Sequence, residues 1–273
     1  MPVERRRITI FLGWSAILSA SATLFVHIDT FMLGIFVPSK FIGYYSTLFS
    51  VVLAAGSFIS FSGVFLPVFT KIKKDRLFRG FRKAIKYSAM LAVPAAIGLS
   101  FIMIPAVRVI YGYDYAPEVY FIPLLLTSIF ISLVLIEVIL TGIYNSLFMG
   151  KESVKSPTMI LIILTLLNIL FNYIFIKFAL NFGQEWTLLA VALATFFTRY
   201  ANLFSLGILA KKRFGLSPDK FDLINPLLAS AIMLGFLFLF NYLFNPGLWL
   251  SILMVILAAG VYFASILFME NKK

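Results

Sequence analysis

The sequence predicts an all-α polytopic membrane protein, a bundle of eight transmembrane helices. Three observations carry that prediction. The 273 residues are 62% hydrophobic and 12% charged, with a mean hydropathy of +1.01, whereas soluble domains run near half apolar and about a quarter charged. Apolar stretches long enough to cross a hydrocarbon layer about 30 Å thick recur along the whole chain. Lysine and arginine are gathered mainly in a few short connections and at the chain ends. The same composition excludes soluble enzymes, disordered chains and disulfide scaffolds. Cysteine is absent and there is one histidine, so neither a cysteine-ligated nor a multi-histidine metal site is expected, nor a Ser-His-Asp hydrolase.

In chain order the spans fall at Ile8–Ile28, Tyr44–Phe69, Tyr87–Val107, Val119–Tyr144, Pro157–Ala179, Trp186–Leu209, Leu223–Leu243 and Leu248–Phe268. The first follows Arg5–Arg7 and contains Ala20-Ser21-Ala22, which mimics a signal peptide and its cleavage site. Its apolar run continues to Ile28, so it reads as a retained span. Pro94 and Pro105 in the third span, and Pro67 and Pro123 near span ends, predict kinks or breaks. Gly13, Gly56, Gly98, Gly142 and Gly207 permit close helix approach. Connections on one side are short and turn-like: Val37-Pro38-Ser39, the stretch from Tyr111 to Pro117, Asn181-Phe182-Gly183 and Asn245-Pro246-Gly247. Tyr111, Tyr113, Tyr115, Tyr120, Trp186 and Trp249 fall at that interface as an aromatic belt.

The opposite side carries 19 of the 23 basic residues: Arg5–Arg7, eight between Lys71 and Lys86, Lys151 and Lys155, four between Lys211 and Lys220, and Lys272 and Lys273. The turn-like side has Lys40, Arg108 and Lys177. The net charge of +12 is therefore a topology signal and not a nucleic-acid footprint. It predicts a multi-pass protein of the cytoplasmic membrane with both termini cytoplasmic and membrane lipids as partners. The segment Lys71–Lys86 is also amphipathic, with Leu77, Phe78, Phe81 and Ile85 at helical spacing among cations. One reading is an interfacial helix resting on anionic headgroups. The other is capture of a phosphorylated lipid head by Lys73, Lys74 and Arg76.

Ionisable groups within spans are costly and face protein or a cavity. Glu137 in the fourth span lies 14 residues before Lys151, and Arg199 in the sixth lies 12 before Lys211. Their depths agree within about 3 Å at 1.5 Å per residue. They form either an interhelical ion pair or a cavity in which Arg199 meets a lipid diphosphate. Asp29 sits at the outer end of the first span, two residues after His27. Asn168 and Asn172 share one face of the fifth span, and Thr195 and Thr198 add hydroxyls on the sixth. Carboxylate, amide and hydroxyl oxygens suit a hard monovalent cation or a proton relay; as a bland alternative the two asparagines are interhelical glue. No phosphate loop, catalytic carboxylate pair or sizeable catalytic loop is evident, so no enzymatic activity is expected.

These residues also carry a resemblance. Asp29-Thr30-Phe31-Met32-Leu33-Gly34 followed by Phe41-Ile42-Gly43-Tyr44-Tyr45 is similar to the opening of the second half of polysaccharide flippases of the multidrug/oligosaccharidyl-lipid/polysaccharide exporter superfamily. Phe65-Leu66-Pro67-Val68-Phe69 resembles the segment that closes that family's next helix. Ile110-Tyr111-Gly112-Tyr113-Asp114-Tyr115-Ala116 and Gly150-Lys151 followed by Asn168 and Asn172 resemble two further family segments, in the family's order. The resemblance implies a transporter that moves lipid-linked oligosaccharide or polysaccharide precursors across the membrane by rocking two six-helix lobes. It further implies a sodium ion or proton as coupling ion in some relatives, at positions matching Asp29, Asn168, Asn172 and Thr195; some relatives carry an acidic residue where this chain has Asn172. With eight spans, the chain is similar to the C-terminal lobe (residues 1–210) plus two additional helices (residues 211–273). A second copy or a separate N-terminal lobe is then the expected partner. A multidrug/cation antiporter of the same superfamily, a non-transporting scaffold and a gene remnant are the rival readings.

Overall fold

The computed structural model describes residues 2–60, 62–244 and 248–270, and places them almost entirely in helices. These are α1 (Pro2–Phe36), α2 (Ser39–Ile59), α3 (Ser62–Lys71), α4 (Lys74–Tyr111), α5 (Phe121–Gly150), α6 (Lys155–Ala179), α7 (Trp186–Phe214), α8 (Lys220–Phe244) and α9 (Leu248–Glu270). Seven helices among the described residues are long and apolar enough to cross a membrane, and α9 carries a shorter apolar run, Leu253–Met269. The chain is thus an all-helical, multi-pass bundle. The Val37–Pro38 turn and the stretch Asn181–Gly183 connect helices as the sequence predicts. Asn245-Pro246-Gly247, Lys272 and Lys273 lie outside the described residues, as does the side chain of Trp249.

Three elements differ from the sequence prediction. The first helix does not stop at Ile28 but runs to Phe36, so Asp29 lies seven residues, about 10 Å, inside its end. The second span is broken: α2 ends at Ile59, Ser60 is extended, and α3 begins at Ser62. Ser60 in the break is flanked by Gly56, Ser57, Ser62 and Gly63 at the adjoining helix ends, residues of low helix propensity inside an apolar run. The basic segment, finally, is no separate interfacial helix. From Lys74 onward it is continuous with the third span in α4, which is 38 residues long. Its apolar stripe of Leu77, Phe81 and Ile85 is buried against Phe69, Tyr144, Leu147 and Leu216. Protein, not headgroups, covers that stripe.

The prolines cause no break. Pro94 and Pro105 both sit inside α4. Pro94 has no N–H to give the carbonyl four residues earlier, that of Met90. The Tyr262 hydroxyl donates to that oxygen at 2.8 Å, so α9 satisfies the group that proline frees. Around this contact Ala229, Met233, Leu237, Met254, Ala258 and Ile266 pack α8 and α9 on each other and on α4. The main core has two parts. One half buries Leu33, Phe41, Leu48, Val52, Ile131 and Val191, and the other, toward the basic end, buries Phe69, Phe81, Tyr144, Phe148 and Leu206.

Candidate functional site

Asp29, on α1, is 1% exposed, and four helices meet at its carboxylate. Tyr45 of α2 donates its hydroxyl at 2.8 Å, Thr195 of α7 at 2.5 Å, and Asn172 of α6 its amide at 2.9 Å. Asn172 also donates to Asn168 Oδ1 at 3.0 Å, and Asn168 donates to Thr198 at 3.0 Å. Lengthening α1 beyond the predicted end brings Asp29 to the depth of Asn172, and the residues singled out from sequence form one connected cluster. His27 is exposed on α1 and takes no part in it. Tyr45 was not foreseen as a participant; a tyrosine among the Phe and Leu of α2 is the signal that points to it.

A second buried cluster lies one turn along α7. Arg199 is paired with Glu137 of α5, Nη1 to Oε2, at 3.2 Å, and both side chains are at most 5% exposed. The other Glu137 oxygen accepts from Thr141 at 2.8 Å and from Asn202 at 3.5 Å. The Arg199 guanidinium stands over the rings of Phe25 at 5.0 Å and Phe49 at 5.4 Å. The interhelical ion pair expected from the matching depths is therefore present. Thr141 and Asn202 are participants that sequence reasoning did not name, although Glu137 and Thr141 stand four apart on one helical face.

The cations at the basic end are elsewhere. Lys73 caps α4 and is exposed, as is Arg76, and the Lys74 side chain lies outside the described residues. Arg82 of the same helix pairs with Asp219 and, at 3.3 Å, with Asp222, which fastens α4 to the start of α8. Lys151 donates to the Ile72 carbonyl at 3.3 Å, and the adjacent Gly150 lies so close to α3 that a Cβ would stand 3.1 Å from the Thr70 nitrogen. The Gly150-Lys151 pair is thus a helix-packing device.

Residues 3–120 match a family model described as polysaccharide biosynthesis protein. The match covers somewhat less than half of the chain. The fold extends the likeness to almost the whole chain. It superposes on the lipid II flippase MurJ in an inward closed conformation with a TM-score of 0.70 at 20% identity, over 94% of this chain and 53% of that one. It superposes on a MOP superfamily transporter from Pyrococcus furiosus with a TM-score of 0.57 at 15% identity, over 95% of this chain and 63% of that one. At such identities the likeness is one of fold alone. The chain spans about half the length of the flippase it matches. No curated protein matches it in sequence.

Proposed function

We propose that the chain is the C-terminal lobe of a flippase that carries lipid-linked oligosaccharide or polysaccharide precursors across the cytoplasmic membrane by alternating access. The observation that carries this reading is the coincidence of a polysaccharide-biosynthesis segment over residues 3–120 with a transporter fold over 94% of the chain. The basic loops face the cytoplasm in this reading. Lys73 and Arg76, both exposed, receive the anionic diphosphate head together with Lys74, while Glu137 and Arg199 act deeper, inside the lobe. A facing lobe, from a second copy or a separate N-terminal chain, completes the cavity.

Asp29 with Asn168, Asn172 and Thr195 forms the coupling site, for a sodium ion or a proton as co-transported cation. Their oxygens are hard ligands of the right kind. Three protein donors now converge on the carboxylate; the hydroxyls of Tyr45 and Thr195 can turn to present lone pairs, and the amides of Asn168 and Asn172 offer carbonyl oxygens.

Melting of the purified chain, titrated with a polyprenyl diphosphate-linked sugar, tests the substrate class. The expected result is a rise in melting temperature that charge reversal at Lys73 and Arg76 removes. An equal response to the same lipid without its diphosphate sinks the reading.

A further inference from the structure

Along one face of α7 stand Thr195, Thr198, Arg199 and Asn202, spaced i, i+3, i+4 and i+7. One end of this stripe holds Asp29 through Thr195. The other end lines a cavity of about 180 Å³ between α1, α2, α5, α6 and α7. Its polar lining is Glu137, Thr141, Asn145, Arg199 and Asn202; the rest is apolar. Asn145 is half-buried and only six residues from Lys151, so among these groups on α5 it lies nearest the basic end.

Two features point to what fills this space. Arg199 Nε and Nη2 and Asn202 Oδ1 are buried without a protein partner among the described residues, and such groups take water or a ligand. The Arg199 charge is already met by Glu137, so the cavity has no net charge to hold an anion. A liquid-like water occupies roughly 30 Å³, so the volume suits a small water cluster bridging the guanidinium edge to the Asn202 carbonyl.

We propose that this cavity is a water-filled antechamber through which a monovalent cation exchanges between the basic side of the membrane and Asp29, with Arg199 as the plug. The proposal rests on the reading of Asp29 as a cation site. Arg199 occupies the step between Asn202 and Thr198, held by Glu137 and covered by the Phe25 and Phe49 rings. Held there, the guanidinium bars the neck by its bulk. Displacing the guanidinium from Glu137 joins the antechamber to the Asp29 cluster.

The chain has no cysteine, so single introduced thiols report water access without background. Membrane vesicles are treated with a charged, membrane-impermeant thiosulfonate on the side that labels Lys212→Cys. Asn145→Cys is expected to react at least about tenfold faster than Leu166→Cys, which is exposed on the outside of α6, because only a hydrated thiol ionises and reacts. Thr198→Cys is expected to stay unreactive from that side until Arg199→Gln is added. Since that change strands Glu137, the paired Glu137→Gln/Arg199→Gln background is measured as well. Equal rates for Asn145→Cys and Leu166→Cys mean a dry cavity and overturn the proposal. A Thr198→Cys that stays unreactive in both backgrounds overturns the plug. If it opens but sodium gives no more protection than potassium, the water path stands and the sodium reading of Asp29 falls.

Discussion

Glu137 and Arg199 are charges held away from water, and a buried pair of this kind is more costly to break than to replace. Glu137→Ala leaves the Arg199 guanidinium without its counter-charge and is expected to cost about 3–5 kcal/mol of stability, read as a lower melting temperature in detergent. Glu137→Gln/Arg199→Gln removes both charges and is expected to recover most of that loss; a single variant that melts like the parent would show that the pair carries no structural weight. Asp29 behaves differently because the three groups that hydrogen-bond to its carboxylate are neutral donors. Asp29→Asn keeps the shape and removes the charge, so it is expected to abolish any sodium or pH dependence of transport while leaving the chain folded. Dependence that survives the substitution would exclude Asp29 as the coupling group. Much of this site was legible in the sequence, since ionisable and amide groups are rare in spans and their depths can be counted. Tyr45, Thr141 and Asn202 were not, because a tyrosine, threonine or asparagine in a span reads equally well as interfacial, back-bonded or glue.

At the scale of elements, two contacts decide how helices are seated. Gly150 on α5 lies against the α3 backbone, where a Cβ would meet Phe69 Cβ and Thr70 N, each at 3.1 Å. Backbone cannot swing aside as a side chain can, so Gly150→Val is expected to destabilise by about 1–3 kcal/mol. Gly13→Ala meets nothing within 4 Å and is expected to be neutral or stabilising by up to about 1 kcal/mol, since it removes only chain entropy. Thermal melts of the two variants should therefore move apart, and equal shifts would remove the close approach as an explanation. Tyr262→Phe withdraws the donor from the carbonyl freed by Pro94 and is expected to cost about 0.6–1.7 kcal/mol, the range of hydrogen bonds inside membrane bundles. These elements mark where sequence reading reached its limit. Hydropathy locates a span but does not see a break made of Gly and Ser within an apolar run, as at Gly56–Gly63. Prolines signal breaks that neighbouring helices repair, as Tyr262 does at Met90. Amphipathicity in Lys74–Lys86 shows that one face is covered, and only packing shows that protein covers it.

For the whole molecule, the informative surface is that of α1. Of its most apolar window 11% is buried, against 56% for α7, so α1 stands at the margin of the bundle with one face uncovered. That face carries Ser19, Thr23 and His27 at four-residue spacing. The two hydroxyls bond back to their own helix, but the exposed His27 imidazole, nine residues inside the helix end, is a polar group that a lipid tail cannot satisfy. A polar stripe in this place is what the inner wall of a two-lobe transporter requires, with a facing lobe or an aqueous cleft beside it. The expected assembly is then a pair meeting across α1. Light scattering in mild detergent, corrected for bound detergent, should give twice the 30.7 kDa of one chain, and Thr23→Cys should cross-link between copies in the membrane. A particle of 30.7 kDa without cross-linking would assign the facing lobe to a different chain, and flipping assays would then need both chains in the same vesicle.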